Sequence, residues 1–169
     1  LGELGRTCAG TLSGLGFDVI GWSRSPREVP GVTCVHGAEG LGQLLRRSEI
    51  LVLLLPATAE TDRLLNAERL ALMPRGAVII NAGRGSLIDD AALLAALDAG
   101  QIGHATLDVF RTEPLPPEDP YWAHPKVTVT PHISAPTRPA TAARSVIQNI
   151  ARAERGEPLL HLVDRELGY

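Results

Sequence analysis

Cysteines are few and long apolar runs are missing, and each scarcity excludes a class of protein. The two cysteines, Cys8 and Cys34, form no C-x-x-C pair and have no histidines at metal-site spacing. We therefore expect reduced thiols and a cytoplasmic protein. No stretch reaches the roughly 18 consecutive apolar residues that a membrane span requires, since the run 50–55 is closed by Pro56. We expect a soluble protein with no membrane partner.

Strong charge of either sign is also missing. A formal net charge of -3 over 169 residues gives no basic surface for nucleic acid, and a hydrophobic content of 44% supports one globular core. The chain has no H-E-x-x-H motif, no nucleophile elbow and no P-loop lysine. The sequence thus gives no basis for a metal-dependent, acyl-transfer or phosphoryl-transfer enzyme.

Short apolar runs alternate with helical patterns along the chain. Strands are predicted at 17–21, 50–55, 77–81, 104–109 and 127–130. Helices are predicted at 3–15, 41–47, 89–99 and 137–155. Because several strand runs are continuously apolar, they suit a parallel sheet covered by helices on both faces. The alternation predicts a doubly wound α/β domain, and five prolines within 114–125 predict an ordered loop there.

Two segments indicate a dinucleotide site. Gly2 and Gly5 open a helical pattern and match the last two glycines of G-x-G-x-x-G, where the backbone approaches a pyrophosphate at a helix N-terminus. About twenty residues later, Ser23 and Arg24 follow a strand where NAD-specific enzymes usually carry a carboxylate. A guanidinium pairs well with a 2′-phosphate, and Arg27 offers a second cation. We predict NADP(H) in preference to NAD(H), the alternative being that both arginines are solvated surface charges.

Three further residues offer a guanidinium, a carboxylate and an imidazole. Arg84, Glu113 and His132 each follow a predicted strand, in the segments NAGRG, RTEP and TPH. Hydride transfer to a keto acid requires a proton donor for the oxygen and a cation for the carboxylate. A carboxylate beside an imidazole favours the protonated ring. Each residue taken alone suits an ordinary surface or turn position, but the three together predict a catalytic site.

These segments, with LGELG at the N-terminus and LDVF at 107–110, resemble the D-2-hydroxyacid dehydrogenases, in particular their bacterial NADPH-dependent glyoxylate/hydroxypyruvate reductase branch. The resemblance implies that Arg84 binds the substrate carboxylate and carbonyl, that His132 is the general acid, and that Glu113 hydrogen-bonds this histidine. It also implies that Asp108 holds the nicotinamide carboxamide, although an Asp at a strand end is often a cap. The other cofactor-binding residues that it implies are Gly2, Glu3, Leu4, Gly5, Leu55, Pro56, Ala82, Gly83, Ser134 and Ala135.

The resemblance also predicts the organisation of the chain. Residues 1–136 are expected to form a Rossmann domain that lacks its first strand, and residues 137–169 a helix and tail that return to an absent substrate domain. We therefore expect a fragment that is poorly soluble and inactive when expressed alone. Family members are usually homodimers, so dimerisation of the full-length protein is expected.

Two rival functions remain open. One is a formate-type dehydrogenase. Relatives of that type pair the histidine with Gln, so the carboxylate of Glu113 argues against this function. Transcriptional corepressors share this fold and keep the same three residues, which leaves a nucleotide-sensing binding protein as an alternative.

Overall fold

The computed structural model describes residues 1–165 and divides into two compact units, Leu1–His132 and a second unit that begins at Ile133. The predicted boundary between residues 136 and 137 stays a prediction. Residues 166–169 of the predicted tail lie outside the described residues.

The first unit alternates strands and helices, as predicted. Its helices are α1 (Glu3–Gly14), α2 (Gly37–Arg47), α3 (Ala67–Ala71) and α4 (Asp90–Asp98). Its strands are β1 (Ile20–Ser23), β2 (Thr33–His36), β3 (Ile50–Leu53), β4 (Ala77–Asn81), β5 (Ile102–Leu107) and β6 (Val127–Val129). Two 3-10 turns lie at Gly85–Leu87 and Pro120–Trp122.

Several details differ from the sequence prediction. Helix α2 starts at Gly37 rather than at 41, and β5 spans Ile102–Leu107 rather than 104–109. The first strand starts at Ile20 rather than at 17. Phe17 N donates to Leu12 O, so residue 17 still belongs to the turn that ends α1. The short elements β2 and α3 were not predicted. The proline-rich segment 114–125 was expected to contain no regular structure, which is wrong for Pro120–Trp122: Asp119 accepts from Tyr121 N and caps a 3-10 turn.

All strand pairs are parallel, and they form two sheets. One sheet has the order β1-β2 and the other β3-β4-β5-β6. A cavity of about 690 Å³ lies between β1 and β3, with mostly apolar lining from these strands, α1 and α2. A doubly wound sheet has its first strand at this place. The predicted parallel α/β fold lacking its first strand is therefore confirmed.

The core lies between the four-stranded sheet and its helices. Ile79 of β4, Ile102 of β5, and Leu93 and Leu97 of α4 are all fully buried. The leucines lie four residues apart and so share one face of α4, whose first turn is capped by Asp89 accepting from Ala92 N at 3.1 Å. This packing holds the strand ends at which the predicted site residues lie.

The second unit contains α5 (Pro139–Glu154). The Asn149 side chain bonds the following segment twice, accepting from Leu160 N at 2.8 Å and donating to Leu160 O at 3.2 Å. Val146, Ile147 and Ile150 are exposed on the helix. Packing of this helix against an absent domain stays a prediction. Across residues 1–165, no helix has the length and apolar character to cross a membrane.

Candidate active site

The predicted catalytic residues follow neighbouring strands of the four-stranded sheet. Arg84 comes after β4, Glu113 after β5 and His132 after β6. Since the strands are parallel, their carboxyl ends meet at one edge of the sheet, which is where open α/β sheets bind their ligands.

His132 and Glu113 are joined directly. His132 Nδ1 lies 2.7 Å from Glu113 Oε2, and because an ionised carboxylate only accepts, the ring nitrogen is the donor. The second carboxylate oxygen, Glu113 Oε1, accepts from Phe110 N at 2.9 Å. Both oxygens of Glu113 are thus used, and the carboxylate has a fixed orientation toward the imidazole.

The charge of Glu113 is stabilised in the folded protein. The hydrogen bond from His132 lowers the pKa of Glu113, and the Phe110 N–H and the positive charge of Arg84 lower it further. A lowered pKa in the folded state means that the pair stabilises the fold above the ordinary pKa of glutamate, and that this contribution is lost as pH falls through the lowered value. Glu113 is therefore ionised at neutral pH.

The backbone around His132 is held by Asp108 and Thr130. His132 has a φ of 55°, a left-handed conformation that histidine adopts more readily than most residues. Its N–H donates to Asp108 O at 2.9 Å, and Thr130 Oγ1 donates to Asp108 Oδ1 at 2.6 Å. Asp108 is buried, and through these two hydrogen bonds it anchors the segment that carries the imidazole. This is in addition to its predicted role as the ligand of the carboxamide.

Arg84 lies on a loop shaped by Asn81 and Gly83. Asn81 Oδ1 accepts from Gly83 N at 3.1 Å, and Asn81 Nδ2 donates to Arg84 O at 3.0 Å. A Cβ on Gly83 would lie 2.9 Å from Leu55 O, so this position favours glycine. The Arg84 guanidinium donates to Gly83 O at 2.6 Å and is exposed. Arg84 is close enough to lower the pKa of Glu113, while the direct bond joins Glu113 and His132.

The predicted pyrophosphate site is open. Gly2 precedes the first residue of α1, and nothing lies within 4 Å of the place where a Cβ on Gly2 or Gly5 would be. The N–H groups of the first helical turn, which includes Glu3 and Leu4, have no partner within a helix. A helix N-terminus with room for close backbone approach suits a pyrophosphate, and this segment has both features.

The residues predicted to bind the 2′-phosphate lie at the carboxyl end of β1. Ser23 ends the strand, is buried, and donates its hydroxyl to Ser25 O at 2.9 Å. Arg24 lies 3.2 Å from Glu60, with its side chain 42% exposed. Sequence reasoning missed this ion pair, because Glu60 is 36 residues away on the loop after β3.

The remaining predicted cofactor residues divide between the two units. Leu55 and Pro56 are half-buried after β3, and Ala82 is half-buried after β4. Ser134 and Ala135 belong to the second unit. The cofactor roles of all these residues stay predictions.

The contacts of Arg111 also escaped sequence reasoning. Arg111 lies two residues before Glu113 and bonds to the loops that follow β3 and β4. Close by, Tyr121 donates to Asp90 at 3.0 Å. Burial raises the pKa of Asp90, and burial together with the Asp90 charge raises the pKa of Tyr121. No sequence pattern marks these contacts, since they join residues 23 to 49 positions apart.

Other potential ligands lie in separate settings. His104 bonds Thr128 at 3.0 Å and His124 bonds Asp98 at 3.3 Å. Within the part of the chain that the structure describes, no three His, Cys, Asp or Glu side chains are grouped as a metal site.

The first unit is a parallel α/β unit with a glycine at the start of its first helix. An imidazole, a carboxylate and a guanidinium lie at the carboxyl edge of its sheet. Together these features define a nucleotide-binding domain of the dehydrogenase type. Residues 1–134 match the family model described as D-isomer specific 2-hydroxyacid dehydrogenase, NAD binding domain. The chain belongs to this family.

Curated relatives agree with this assignment. The glyoxylate/hydroxypyruvate reductase A of Salmonella newport (strain SL254) is 46% identical over 168 residues, covering 99% of this chain and 54% of the relative. The chain thus spans about half the length of the curated relatives that it matches.

Solved structures show the same fold. A D-isomer specific 2-hydroxyacid dehydrogenase from Xanthobacter autotrophicus Py2, in complex with NADPH and MES, is 53% identical with a TM-score of 0.96, over 100% of this chain and 70% of that one. An NADPH-dependent glyoxylate/hydroxypyruvate reductase from Sinorhizobium meliloti, in complex with NADP and sulfate, is 44% identical with a TM-score of 0.95, over 100% of this chain and 55% of that one.

Proposed function

We propose that this chain is the nucleotide-binding part of an NADPH-dependent reductase that converts a small 2-keto acid, glyoxylate or hydroxypyruvate, into the 2-hydroxy acid. The observation that carries the proposal is the 2.7 Å bond between His132 and Glu113, with Arg84 beside it at the carboxyl edge of the sheet. The names of the relatives support the choice of substrate.

His132 acts as the general acid. Its Nδ1 faces Glu113, which leaves Nε2 to hold the proton that passes to the carbonyl oxygen of the keto acid. The carboxylate of Glu113 favours the protonated ring and fixes its orientation. In the reverse direction, neutral His132 accepts the hydroxyl proton at the same nitrogen.

Arg84 binds the carboxylate of the substrate. A guanidinium matches a carboxylate through two parallel hydrogen bonds and polarises the adjacent carbonyl. Because Arg84 is exposed on a loop fixed by Asn81, it can reach substrate without unfolding its surroundings. Substrate held there would present its carbonyl to His132.

NADP(H) fits the residues at the carboxyl edge, and when bound it supplies or accepts the hydride. Gly2 and Gly5 offer the open helix start for the pyrophosphate, and Arg24 offers a cation for the 2′-phosphate. The solved relatives in complex with NADPH or NADP support this preference.

The proposal is tested on the full-length protein that contains this chain. Oxidation of NADPH and NADH should be followed in parallel with glyoxylate, hydroxypyruvate and pyruvate. We expect the highest kcat/KM with NADPH and one of the first two acids. Failure of all three acids with both cofactors would contradict the proposal, and so would a clear preference for NADH.

We also propose a cytoplasmic homodimer. The reduced state expected for Cys8 and Cys34 supports the location, and both are unpaired thiols in the structure. Sedimentation of the full-length protein should give twice the monomer mass, and a monomer at micromolar concentration would contradict the dimer.

A further inference from the structure

Arg111 has more polar contacts than its position on an exposed loop would suggest. Its Nη2 donates to Ser86 O at 3.0 Å and to Ile88 O at 3.1 Å. Its Nη1 donates to Asp62 Oδ1 at 3.1 Å, and its Nε lies 3.8 Å from Asp90 Oδ2. The guanidinium therefore hydrogen-bonds two backbone carbonyls and the Asp62 carboxylate, forms a longer ion pair with Asp90, and belongs to a side chain that is 31% exposed.

These contacts connect the loops that carry the proposed site. Asp62 lies on the loop after β3, and Ser86 and Ile88 lie just beyond Arg84 on the loop after β4. Arg111 itself lies on the loop after β5, two residues before Glu113. One side chain thus joins three neighbouring loops at the carboxyl edge of the sheet.

The first two of these loops are also joined by backbone hydrogen bonds. Arg63 N donates to Ser86 O at 2.7 Å, and Leu65 N donates to Leu87 O at 2.9 Å. The Glu113 loop reaches them through the Arg111 side chain and through a close approach at Gly85, where a Cβ would overlap the backbone of Phe110 and Arg111. Loss of the guanidinium should therefore loosen the Glu113 loop while the other two stay joined.

The contact pattern requires the shape of arginine. The planar guanidinium presents five N–H donors in a fixed fork, so it can serve the two carbonyls and Asp62 together. A lysine has one flexible ammonium and keeps the charge without this geometry.

We propose that Arg111 is a positioning residue, which fixes the loop carrying Glu113 against the loop carrying Arg84 and so sets the distance from the Glu113–His132 pair to the substrate-binding guanidinium. This inference rests on the proposed function. Arg111 acts through Glu113 and Arg84. Its removal should therefore lower the rate of the chemical step more than it weakens cofactor binding.

The test uses Arg111→Met and Arg111→Lys in the full-length protein. We expect Arg111→Met to lower kcat for the keto acid by about tenfold to 100-fold, because small misplacements of reacting groups cost rates of this order. The KM for NADPH should change by less than about threefold, within the effect of an exposed ion pair. Arg111→Lys should recover less than half of the lost kcat.

Arg47→Met is the matched control. Arg47 forms an exposed ion pair with Asp18 at 3.5 Å, and the two residues precede β3 and β1 at the opposite edge of the sheets. This variant also removes an arginine and an ion pair, and it should keep kcat within about twofold of the wild type.

A double-mutant cycle with Glu113→Ala, which removes the side chain that Arg111 is proposed to position, separates positioning from general destabilisation. If Arg111 acts by holding Glu113 in place, Arg111→Met should lower kcat by less than about threefold in the Glu113→Ala background. An equal loss in both backgrounds would overturn the inference, as would a wild-type kcat in folded Arg111→Met. If Arg111→Met does not fold, Arg111→Lys completes the same cycle with the same two outcomes. If the wild-type protein reduces no keto acid, it is the proposed function that fails.

Discussion

Glu113 illustrates how much depends on one carboxylate. One oxygen accepts from His132 and the other from Phe110 N, and these hydrogen bonds, with the nearby positive charge, lower the pKa of Glu113. A carboxylate fixed in this way orients the imidazole and favours its protonated form. We therefore expect Glu113 to influence the pH range of the proposed reduction.

Replacement of Glu113 by Gln should shift the pH dependence of reduction. The amide keeps the shape and removes the negative charge that favours a protonated imidazole. Because reduction needs a proton donor, the pH above which kcat/KM falls should move down. The pH–rate profile of the full-length variant measures this shift, and an unchanged profile would remove Glu113 from the mechanism.

Arg24 raises a different question, because it is paired before any phosphate arrives. Glu60 lies 3.2 Å from its guanidinium and is largely exposed. A bound 2′-phosphate would compete with this carboxylate for Arg24 and would be repelled by its charge.

Glu60→Gln should consequently strengthen binding of NADPH. We expect the Kd for NADPH to fall by about twofold to fivefold, the size of an exposed ion pair, with little change for NADH. Fluorescence titration of both cofactors at two salt concentrations would measure the effect. Weaker NADPH binding would show instead that Glu60 positions Arg24 for the phosphate.

The residue scale also shows where sequence reasoning ends. His132 and Glu113 could be predicted because each lies in a distinctive local segment, and the structure joins them. Glu60 and Arg111 could not, because their partners lie 36 and 49 positions away and only the fold brings them together. An exposed Arg or Glu in a loop has no local signal for such a partner.

At the scale of elements, the loop after β5 is held at several points. The Trp122 indole donates to Pro116 O at 2.9 Å, and the rings of Phe110 and Tyr121 pack 6.3 Å apart. Tyr121 also donates to Asp90 at the start of α4. These contacts fix the proline-rich segment next to Glu113.

Tyr121→Phe should destabilise the protein by about 1 kcal/mol, because Asp90 loses a hydrogen-bond donor in a half-buried position. Burial raises the pKa of Asp90, and the hydrogen bond from Tyr121 opposes this rise. Loss of that bond in the variant should therefore raise the pKa of Asp90 further. The loss of stability should then be largest at neutral pH and shrink as acid protonates Asp90. Urea unfolding of the full-length protein at several pH values tests this, and a loss that grows toward acid pH would contradict it.

Most elements were predictable from local pattern. Strands β3 to β6 are apolar runs between turn residues, and α4 has its cap at Asp89 and its leucine face in the sequence. The edge strand β2 has no continuous apolar run, because Thr33 and His36 flank its two apolar residues, and helix α3 has only five residues, too few for a helical period to show. The turn at Pro120–Trp122 depends on one capping carboxylate, Asp119.

At the scale of the whole molecule, the parallel sheet is in two parts. The cavity between β1 and β3 and the exposed side chains of Ile50 and Val52 mark this break. The chain spans about half the length of its curated relatives, and the activity proposed here is that of the full-length protein. Family membership and the nucleotide-binding fold nevertheless rest on this chain itself.

The central claim is that the imidazole of His132 delivers the proton during reduction of a 2-keto acid. The most direct test is a single-turnover measurement of NADPH oxidation by the full-length wild type and its His132→Gln variant, each with bound NADPH and saturating glyoxylate. The account predicts that the variant binds NADPH within about twofold of the wild type and oxidises it at least 100-fold more slowly. A variant that oxidises NADPH at the wild-type rate would contradict it.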